Sequence, residues 1–449
     1  MPPNTSLLEP PGKILVKSAH YSIASFEKGN NDFADTSMFL TEDSTSYFSL
    51  NLRADRPGQG SSLGAYLNML CVMGGETLWM PLALKHGGWI TCAVLAVACS
   101  MSIYTSYVLA RCQYYDGVKR LGSIKEVATA ALGKVGGWLC FTASSLVLLA
   151  TPAAYILWAA QSMNRFLIGT AGELSVAYWV IICSGVVSIP FVLTKTMKQT
   201  AITSCLAVLA TFVAIVIVFS CSFVDLPTQH NTRLVVNWSQ LPLALSTAAL
   251  SFGGHAAQPH VEGSMHYPKS WIRVIAAALC TCLAFNLFVA VPCYFVYGDT
   301  IVGPMYDSLH SVGAGTAAAA MATAFALLAA PTFMTAFAIQ AEEMLMIPTA
   351  HLPRTAEFTL RTGFRICIVA CLGTLVIYVP HFINFAGLFG GLANCALIFI
   401  LPVVFYLKLT GLQNKSGWEL AWCALVVLFG VVGGACVAMY SILALKNDF

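Results

Sequence analysis

Two glycine pairs stand next to side chains that can hold or pass on a proton. Gly74-Gly75 precedes Glu76, and Gly253-Gly254 precedes His255, and each pair lies inside a long apolar run. Carboxyl and imidazole groups are commonly used for proton transfer near neutral pH. Glycine allows a helix to be interrupted, which frees backbone N–H and C=O groups. The two patterns therefore predict places where backbone and a titratable side chain together meet a small charged ligand.

The elements that hold these residues are predicted to be membrane helices. Of the 449 residues, 58% are hydrophobic and only 10% are charged, whereas a soluble protein has about 25% charged residues. Stretches such as 274–298 and 313–341 contain no Asp, Glu, Lys or Arg. Each is longer than the roughly 20 residues that cross a bilayer. The chain is therefore expected to be an all-α protein embedded in a lipid bilayer.

Eleven membrane-spanning helices are predicted to follow a polar tail. Residues 1–60 are rich in Ser, Thr, Asp and Gly and are predicted to form a cytoplasmic, largely disordered tail. Residues 61–449 are predicted to form the transmembrane domain, with the amphipathic stretch 119–134 lying along a membrane face. The spans are predicted near 63–84, 88–111, 137–160, 174–194, 199–223, 240–261, 270–297, 313–340, 362–380, 382–408 and 418–444.

The distribution of positive residues predicts the orientation in the membrane. With the tail in the cytoplasm, 19 of the 23 Lys and Arg residues fall on the cytoplasmic side, as the positive-inside rule requires. An odd number of spans then puts the C-terminus on the extracellular or lumenal side. The plasma membrane and a vacuolar or lysosomal membrane both fit this pattern.

The two glycine pairs lie at corresponding depths of two predicted spans. Gly74-Gly75 is about eleven residues into the first span, and Gly253-Gly254 about twelve into the sixth. The first ten spans thus divide into two halves of five, each opening with an interrupted helix. Such matched interruptions are typical of the midplane site of a secondary transporter built from inverted repeats. Close packing between membrane helices is the alternative explanation for either pair alone.

Three ordered motifs resemble the amino acid/auxin permease family. They are GGETLWMPLALKHGGW at 74–89, SFGGHAAQPHVEGSMHYPKSW at 251–271, and the stretch 361–391, and the run EGSM at 262–265 is similar to vesicular and vacuolar amino acid transporters. The resemblance implies a LeuT-type five-plus-five inverted repeat of eleven helices, with helices 1 and 6 broken. It also implies secondary active transport of amino acids, often coupled to protons. Glu76 departs from the family, whose members usually carry a small residue or threonine near the first break.

The leading hypothesis is alternating access around a midplane site between helices 1 and 6. The substrate carboxylate is expected to meet backbone N–H groups of the first break, because freed N–H groups attract anions. The substrate amine is expected to meet carbonyls and the imidazole of the second break. The residues predicted to bind the substrate are Gly74, Gly75, Thr77, Gly253, Gly254 and His255.

Glu76 is predicted to carry the coupled proton. A charged residue at the middle of the bilayer costs at least ~2.5–3.5 kcal/mol, so it normally faces a cavity and works there. Two other roles remain open for Glu76, namely an anchor for a substrate amine and a neutral acid bonded to freed backbone. His255 is the next candidate for proton transfer, or else a structural histidine that braces the break.

Three further hypotheses stand beside proton-coupled transport. Sodium coupling would use hydroxyl ligands such as Thr332 and Thr335, although hydroxyls in membrane helices commonly bond to their own backbone. Transport of an amine in place of an amino acid is the second hypothesis. A nutrient-sensing receptor that signals through its tail and transports little is the third.

Several classes of function find no support in the sequence. The net charge of +3 and the absence of a basic cluster argue against nucleic acid. The 16 cysteines form no CxxC pair, so no metal site is indicated. HExxH, Walker A and dinucleotide motifs are absent. An enzyme is therefore not expected, and neither is a cofactor beyond the proton gradient as driving force.

Overall fold

The computed structural model describes residues 56, 58–117, 119–226, 232–347, 353–379, 381–413 and 415–448. The predicted tail therefore lies outside the described residues, apart from its last few positions. Fourteen α-helices follow one another in the described chain. They are α1 Ser62–Met73, α2 Met80–Gly87, α3 Ile90–Cys112, α4 Ile124–Leu167, α5 Val176–Leu193, α6 Met197–Asp225, α7 Leu241–Leu250, α8 Gln258–Gly263, α9 Trp271–Tyr297, α10 Val312–Met344, α11 Arg354–Tyr378, α12 Phe382–Cys395, α13 Leu401–Thr410 and α14 Gly417–Asp448.

The described helices form an all-helical membrane-type fold. Ten helical segments within the described ranges are long and apolar enough to cross a bilayer. The predicted sixth span, 240–261, differs from the others, because α7 has only 10 residues and α8 only 6. A helix of ten residues is about 15 Å long, half of the roughly 30 Å hydrocarbon core. Length and composition alone therefore give ten crossings, one fewer than the sequence predicted.

The predicted amphipathic stretch and the third span join in the single element α4. Its helical geometry is interrupted at Gly133, which has φ 76° and ψ −176°. This left-handed conformation favours glycine, which has no Cβ to clash with the backbone. Across the kink, the Lys125 ammonium lies 3.9 Å from the ring centroid of Trp138, a cation–π contact that braces the two parts.

A buried ion pair attaches α11 to its neighbours. Arg365 is fully buried, and its Nε donates to Glu342 Oε1 of α10 at 2.7 Å. Its Nη1 donates to the carbonyl of Phe191 at 2.7 Å and also to that of Thr194. A buried guanidinium is tolerated only with such partners. Glu342 is therefore engaged in holding α10, α11 and the end of α5 together.

The last residues of the predicted tail pair with the chain just after α8. Gly60 and Met265 form a parallel β-bridge. The Gly60 N–H donates to the Ser264 carbonyl at 2.7 Å, and the His266 N–H donates to the Gly60 carbonyl at 2.8 Å. Lys198 at the start of α6 donates to the carbonyl of Gly58 at 2.9 Å. These hydrogen bonds attach residues 58–60 to the chain that follows α8 and to the start of α6, at one end of the helical domain.

The same end carries a cluster of three side chains around the Glu262 carboxylate, and the four residues are here called the Glu262 cluster. Glu262 is 1% exposed and accepts from Arg120 Nε and from the Tyr114 hydroxyl, each at 2.5 Å. Arg56 completes the cluster with Nη2 at 3.5 Å from Oε1. Burial, with the neighbouring Glu262 carboxylate, raises the pKa of Tyr114 to about 12. The hydroxyl therefore stays a donor at neutral pH.

Glu262→Ala is expected to lower the free energy of unfolding by about 2 kcal/mol, because it removes the charged acceptor of the Arg120 Nε and of the buried Tyr114 hydroxyl. Thermal unfolding of the purified protein in detergent measures the change. Asp307→Ala is the matched control, since its partner Arg165 is 65% exposed. Such a surface pair contributes at most about 1 kcal/mol. Equal effects of the two substitutions would contradict the importance given to the Glu262 cluster.

Candidate functional site

A cavity of about 400 Å³ lies where the turn after α1 and the gap between α7 and α8 come together. Its walls are contributed by the end of α1, that turn, the chain just after α7, and α4, α7, α10, α12 and α14, so distant parts of the chain meet there. Among the predicted residues, Gly75, Glu76 and Gly253 line it. Clefts of this size, with a few polar groups in a largely apolar wall, are typical of small-molecule sites.

At the first glycine pair the α-helix is interrupted by a 3-10 helix and not by extended chain. Between α1 and α2, residues Gly74–Trp79 form a 3-10 helix, and Gly74 keeps right-handed dihedral angles. A 3-10 stretch in the middle of a helix often marks a hinge. Gly75 is required sterically, since a Cβ there would lie 2.0 Å from the Tyr155 hydroxyl oxygen. The Tyr155 side chain of α4 therefore rests directly on this turn.

Glu76 projects from the 3-10 turn into the cavity. Its side chain is exposed, and it belongs to the cavity wall. Within the described ranges, the Glu76 carboxyl group forms no hydrogen bond and no ion pair. It is also the only Asp, Glu, Lys, Arg or His among the described residues that line the cavity. The site thus offers one acid and no base.

The second interruption is an irregular stretch of seven residues between α7 and α8. Gly254 adopts φ +151°, and a Cβ on it would lie 3.0 Å from Met69 Cε of α1. Gly253 lines the cavity, and its N–H donates to the Leu250 carbonyl at 3.0 Å. In the described part of the chain, the Gly253 carbonyl and the Gly254 N–H form no hydrogen bond. Freed backbone groups are therefore present at the second glycine pair.

His255 points away from the cavity, towards α3. It is fully buried, and its Nε2 lies 3.0 Å from Thr105 Oγ1 and 3.2 Å from Ser106 Oγ. Gln258 extends the contact by donating to Ser106 Oγ at 2.8 Å. The imidazole in this conformation braces the irregular stretch against α3. The structural role considered for His255 describes its position better than contact with the cavity does.

Three other predicted residues lie behind the cavity wall. Thr77 is fully buried, and together with Gly74 it faces a void of about 10 Å³, space for about one water molecule. Gly254 packs against Met69 of α1. The structure therefore brings Gly75, Glu76 and Gly253 to one surface and leaves Gly74, Thr77, Gly254 and His255 in the supporting layer.

The hydroxyls considered for sodium are engaged with other hydroxyls in this conformation. Thr332 Oγ1 lies 3.0 Å from Ser204 Oγ of α6. Thr335 Oγ1 lies 3.3 Å from Thr194 Oγ1. All four side chains are buried. These contacts tie α10 to α6 and to the end of α5, which explains both threonines as packing residues.

The sequence did not identify most of the polar residues that line the cavity. They come from helices far apart in the chain and show no common spacing. Their only signal is a polar residue within an apolar run, which is frequent in membrane helices and not specific. Apart from Glu76, the polar side chains that line the cavity are Thr151, Tyr155, Ser246, Thr247, Ser251, Asn394, Tyr440 and Ser441.

Known proteins share this sequence pattern and fold. Amino acid transporter AVT1E of Arabidopsis thaliana is 23% identical over 389 residues, covering 84% of this chain and 71% of the relative. The vesicular inhibitory amino acid transporter of Homo sapiens is 24% identical over 388 residues, covering 81% and 71%. Solved structures are similar at lower identity, and the likeness to them concerns the fold.

Two solved structures illustrate that likeness. A substrate-bound, outward-open Na⁺-coupled sialic acid symporter has a TM-score of 0.58 at 11% identity, with 88% of this chain and 91% of that chain covered. MhsT in complex with L-phenylalanine has a TM-score of 0.56 at 13% identity, with 85% and 99% covered. Both place the chain in the LeuT fold. The family described as transmembrane amino acid transporter protein matches residues 58–445, which is most of the chain, and the chain belongs to that family.

Proposed function

We propose that the protein is a proton-coupled amino acid transporter that binds its substrate in the cavity and works by alternating access. The observation that carries the proposal is the Glu76 side chain, an unpartnered carboxyl group exposed to the cavity on a 3-10 turn. Burial away from water favours the neutral form of a carboxyl group in general. A group that gains and loses water as the protein changes state can therefore take up a proton on one side and release it on the other.

The substrate is proposed to lie between the two interruptions. Its ammonium group meets the free carbonyl of Gly253, and its carboxylate lies against the 3-10 turn, beside the Tyr155 hydroxyl. Both glycines at this surface are needed sterically, since Gly75 accommodates Tyr155 and Gly253 accommodates Asn394. Small residues thus let the polar groups of α4 and α12 approach the backbone closely.

The proposed topology has eleven crossings. In it, α7, the irregular stretch and α8 together make the sixth crossing, which neither helix is long enough to make alone. The first ten crossings form two inverted halves of five, the N-terminus is cytoplasmic, and the C-terminus is extracellular or lumenal. The partition of Lys and Arg supports this orientation.

Alternating access assigns opposite roles to the two ends of the site. On α7, the residues that line the cavity lie between Leu243 and Leu250, before the second interruption. This is the side that the proposed topology places outside. The Glu262 cluster lies at the far end of α8, on the opposite side. The described conformation is therefore proposed to be accessible from outside and closed inside, and the Glu262 cluster separates when the site opens to the cytoplasm.

Glu76→Gln is expected to uncouple transport from the pH gradient. Glutamine keeps the size and hydrogen bonding of the neutral acid but cannot release a proton. In liposomes the variant should still exchange labelled for unlabelled amino acid while failing to concentrate it under an imposed pH gradient. Glu173→Gln is the control, because Glu173 is an exposed carboxylate outside the cavity wall.

The same uptake measurements separate the competing hypotheses. Loss of exchange together with weaker binding would make Glu76 an amine anchor, as in an amine carrier. Accumulation that needs sodium at constant pH would replace the proton by sodium. Binding without any gradient-driven uptake would favour a receptor. Accumulation at the parental level by Glu76→Gln would refute the proton-carrier role.

Gly75→Ala and Gly253→Ala are expected to reduce uptake at least about ten-fold. The added Cβ would lie 2.0 Å from the Tyr155 hydroxyl in the first variant and 2.7 Å from Asn394 Nδ2 in the second, so a cavity side chain has to move. Gly363→Ala on α11 is the control, since its Cβ meets nothing within 4 Å. Initial rates of uptake, normalised to the protein in the membrane, test the prediction. Normal uptake by both site variants would remove the glycines from the substrate site.

An epitope placed after Lys446 is expected to be accessible only from the non-cytoplasmic side, and an epitope in the first 50 residues only from the cytoplasmic side. Antibody labelling before and after selective permeabilisation measures this. Both epitopes on one side of the membrane would rule out an odd number of crossings.

A further inference from the structure

Asn394 occupies a special position on α12. It lines the cavity, one residue before α12 ends, and a π-helical turn over Ala396–Ile400 follows. A π turn adds a residue to a helical turn and so changes the face that the neighbouring residues present. Such turns are rare and frequently occur at functional sites. Here the turn accompanies the only Asn or Gln among the described residues of the cavity wall.

The Asn394 amide lies directly on the second interruption. A Cβ at Gly253 would be 2.7 Å from its Nδ2 and 3.2 Å from its Oδ1. Across the described ranges the amide forms no hydrogen bond, and the nearby Gly253 carbonyl is also free. An amide offers two donors and an acceptor. The site therefore has unused hydrogen-bonding capacity at the place where the substrate's polar end is proposed to lie.

The charge of the wall limits which amino acids fit. Glu76 is the one carboxyl group there, and no Lys, Arg or His lines the described wall. A zwitterion without net charge is compatible with protonated Glu76, and a cationic amino acid with ionised Glu76. An acidic amino acid brings a second carboxylate that no cation compensates, and an unpaired charge in a poorly hydrated site is costly.

From this arrangement we infer that Asn394 binds the substrate's polar main-chain groups and that the cavity admits neutral and cationic amino acids while excluding acidic ones. The inference rests on the proposed function, whose substrate class it names. Asn394 is then a specificity-determining residue, because the charge at its position helps to set the charge of the accepted substrate.

Matched amino acid pairs test the substrate class. Glutamine and glutamate, and asparagine and aspartate, are nearly equal in size and differ in side-chain charge. Competition against a labelled substrate and thermal stabilisation of the purified protein are measured for each pair. An amide that binds should compete at a concentration at least about ten-fold lower than its acid does. An acidic amino acid as effective as its amide overturns the inference.

Variants of Asn394 test the residue itself. Asn394→Ala should raise the half-saturating substrate concentration about ten-fold, the equivalent of one hydrogen bond to a charged group. Asn394→Asp adds a negative charge and should shift the competition ratio of lysine to glutamine about ten-fold towards lysine. Leu392→Ala on the same helix, 39% exposed outside the cavity wall, is the control.

A purely structural Asn394 would give a different result. It would lower the amount or the stability of the protein in both variants, with the preference between lysine and glutamine unchanged, and that result overturns the inference. The two proposals also fail separately. Charge-selective binding without gradient-driven accumulation rejects the transporter and keeps the site, whereas accumulation of glutamate as readily as glutamine rejects the selectivity and keeps the transporter. If none of the amino acids binds, both are rejected.

Discussion

Backbone polar groups inside a bilayer need partners, and this requirement governs the architecture around the cavity. Where helical bonding lapses, neighbouring helices supply side chains: Ser102 donates to the Phe252 carbonyl at 3.2 Å, and the Cys282 thiol approaches the Met73 carbonyl at 3.7 Å. The His255 side chain braces the same stretch differently, because its Nε2 contacts the side-chain hydroxyl of Thr105 on α3. The backbone groups left over face the cavity at Gly253. Unmade backbone hydrogen bonds thus lie at the cavity that is proposed to bind the substrate.

The glycine pairs could be recognised from the sequence because their effect is local. A glycine inside an apolar run signals an interruption or a close approach without reference to the rest of the fold, and Gly75 and Gly253 do lie at the cavity. The membrane class followed from composition in the same way. The sequence also predicted a sixth span at 240–261 interrupted at Gly253-Gly254, and in the structure α7 ends at Leu250 and α8 begins at Gln258.

The remainder of the site could not be read from the sequence, since it depends on how helices pack. Tyr155, Asn394 and Tyr440 come from α4, α12 and α14, and only the tertiary structure brings them to one wall. The sequence also could not show the direction in which the His255 side chain points. The stretch between α7 and α8 has no helical period, so the sequence offers no rule for which side of it faces the cavity.

Three carboxylates in the helical domain differ in whether an arginine pairs with them. Glu342 is paired with the buried Arg365, and Glu262 with Arg120, and each pair joins separate segments of the chain. Losing either contact would leave a buried guanidinium without its partner and would loosen the packing of the segments that the pair joins. Glu76 has no such partner within the described residues, and it faces a cavity. Among the three, it is the one whose interactions can change without dismantling the packing of the helices around it, as the proposed role in coupling requires.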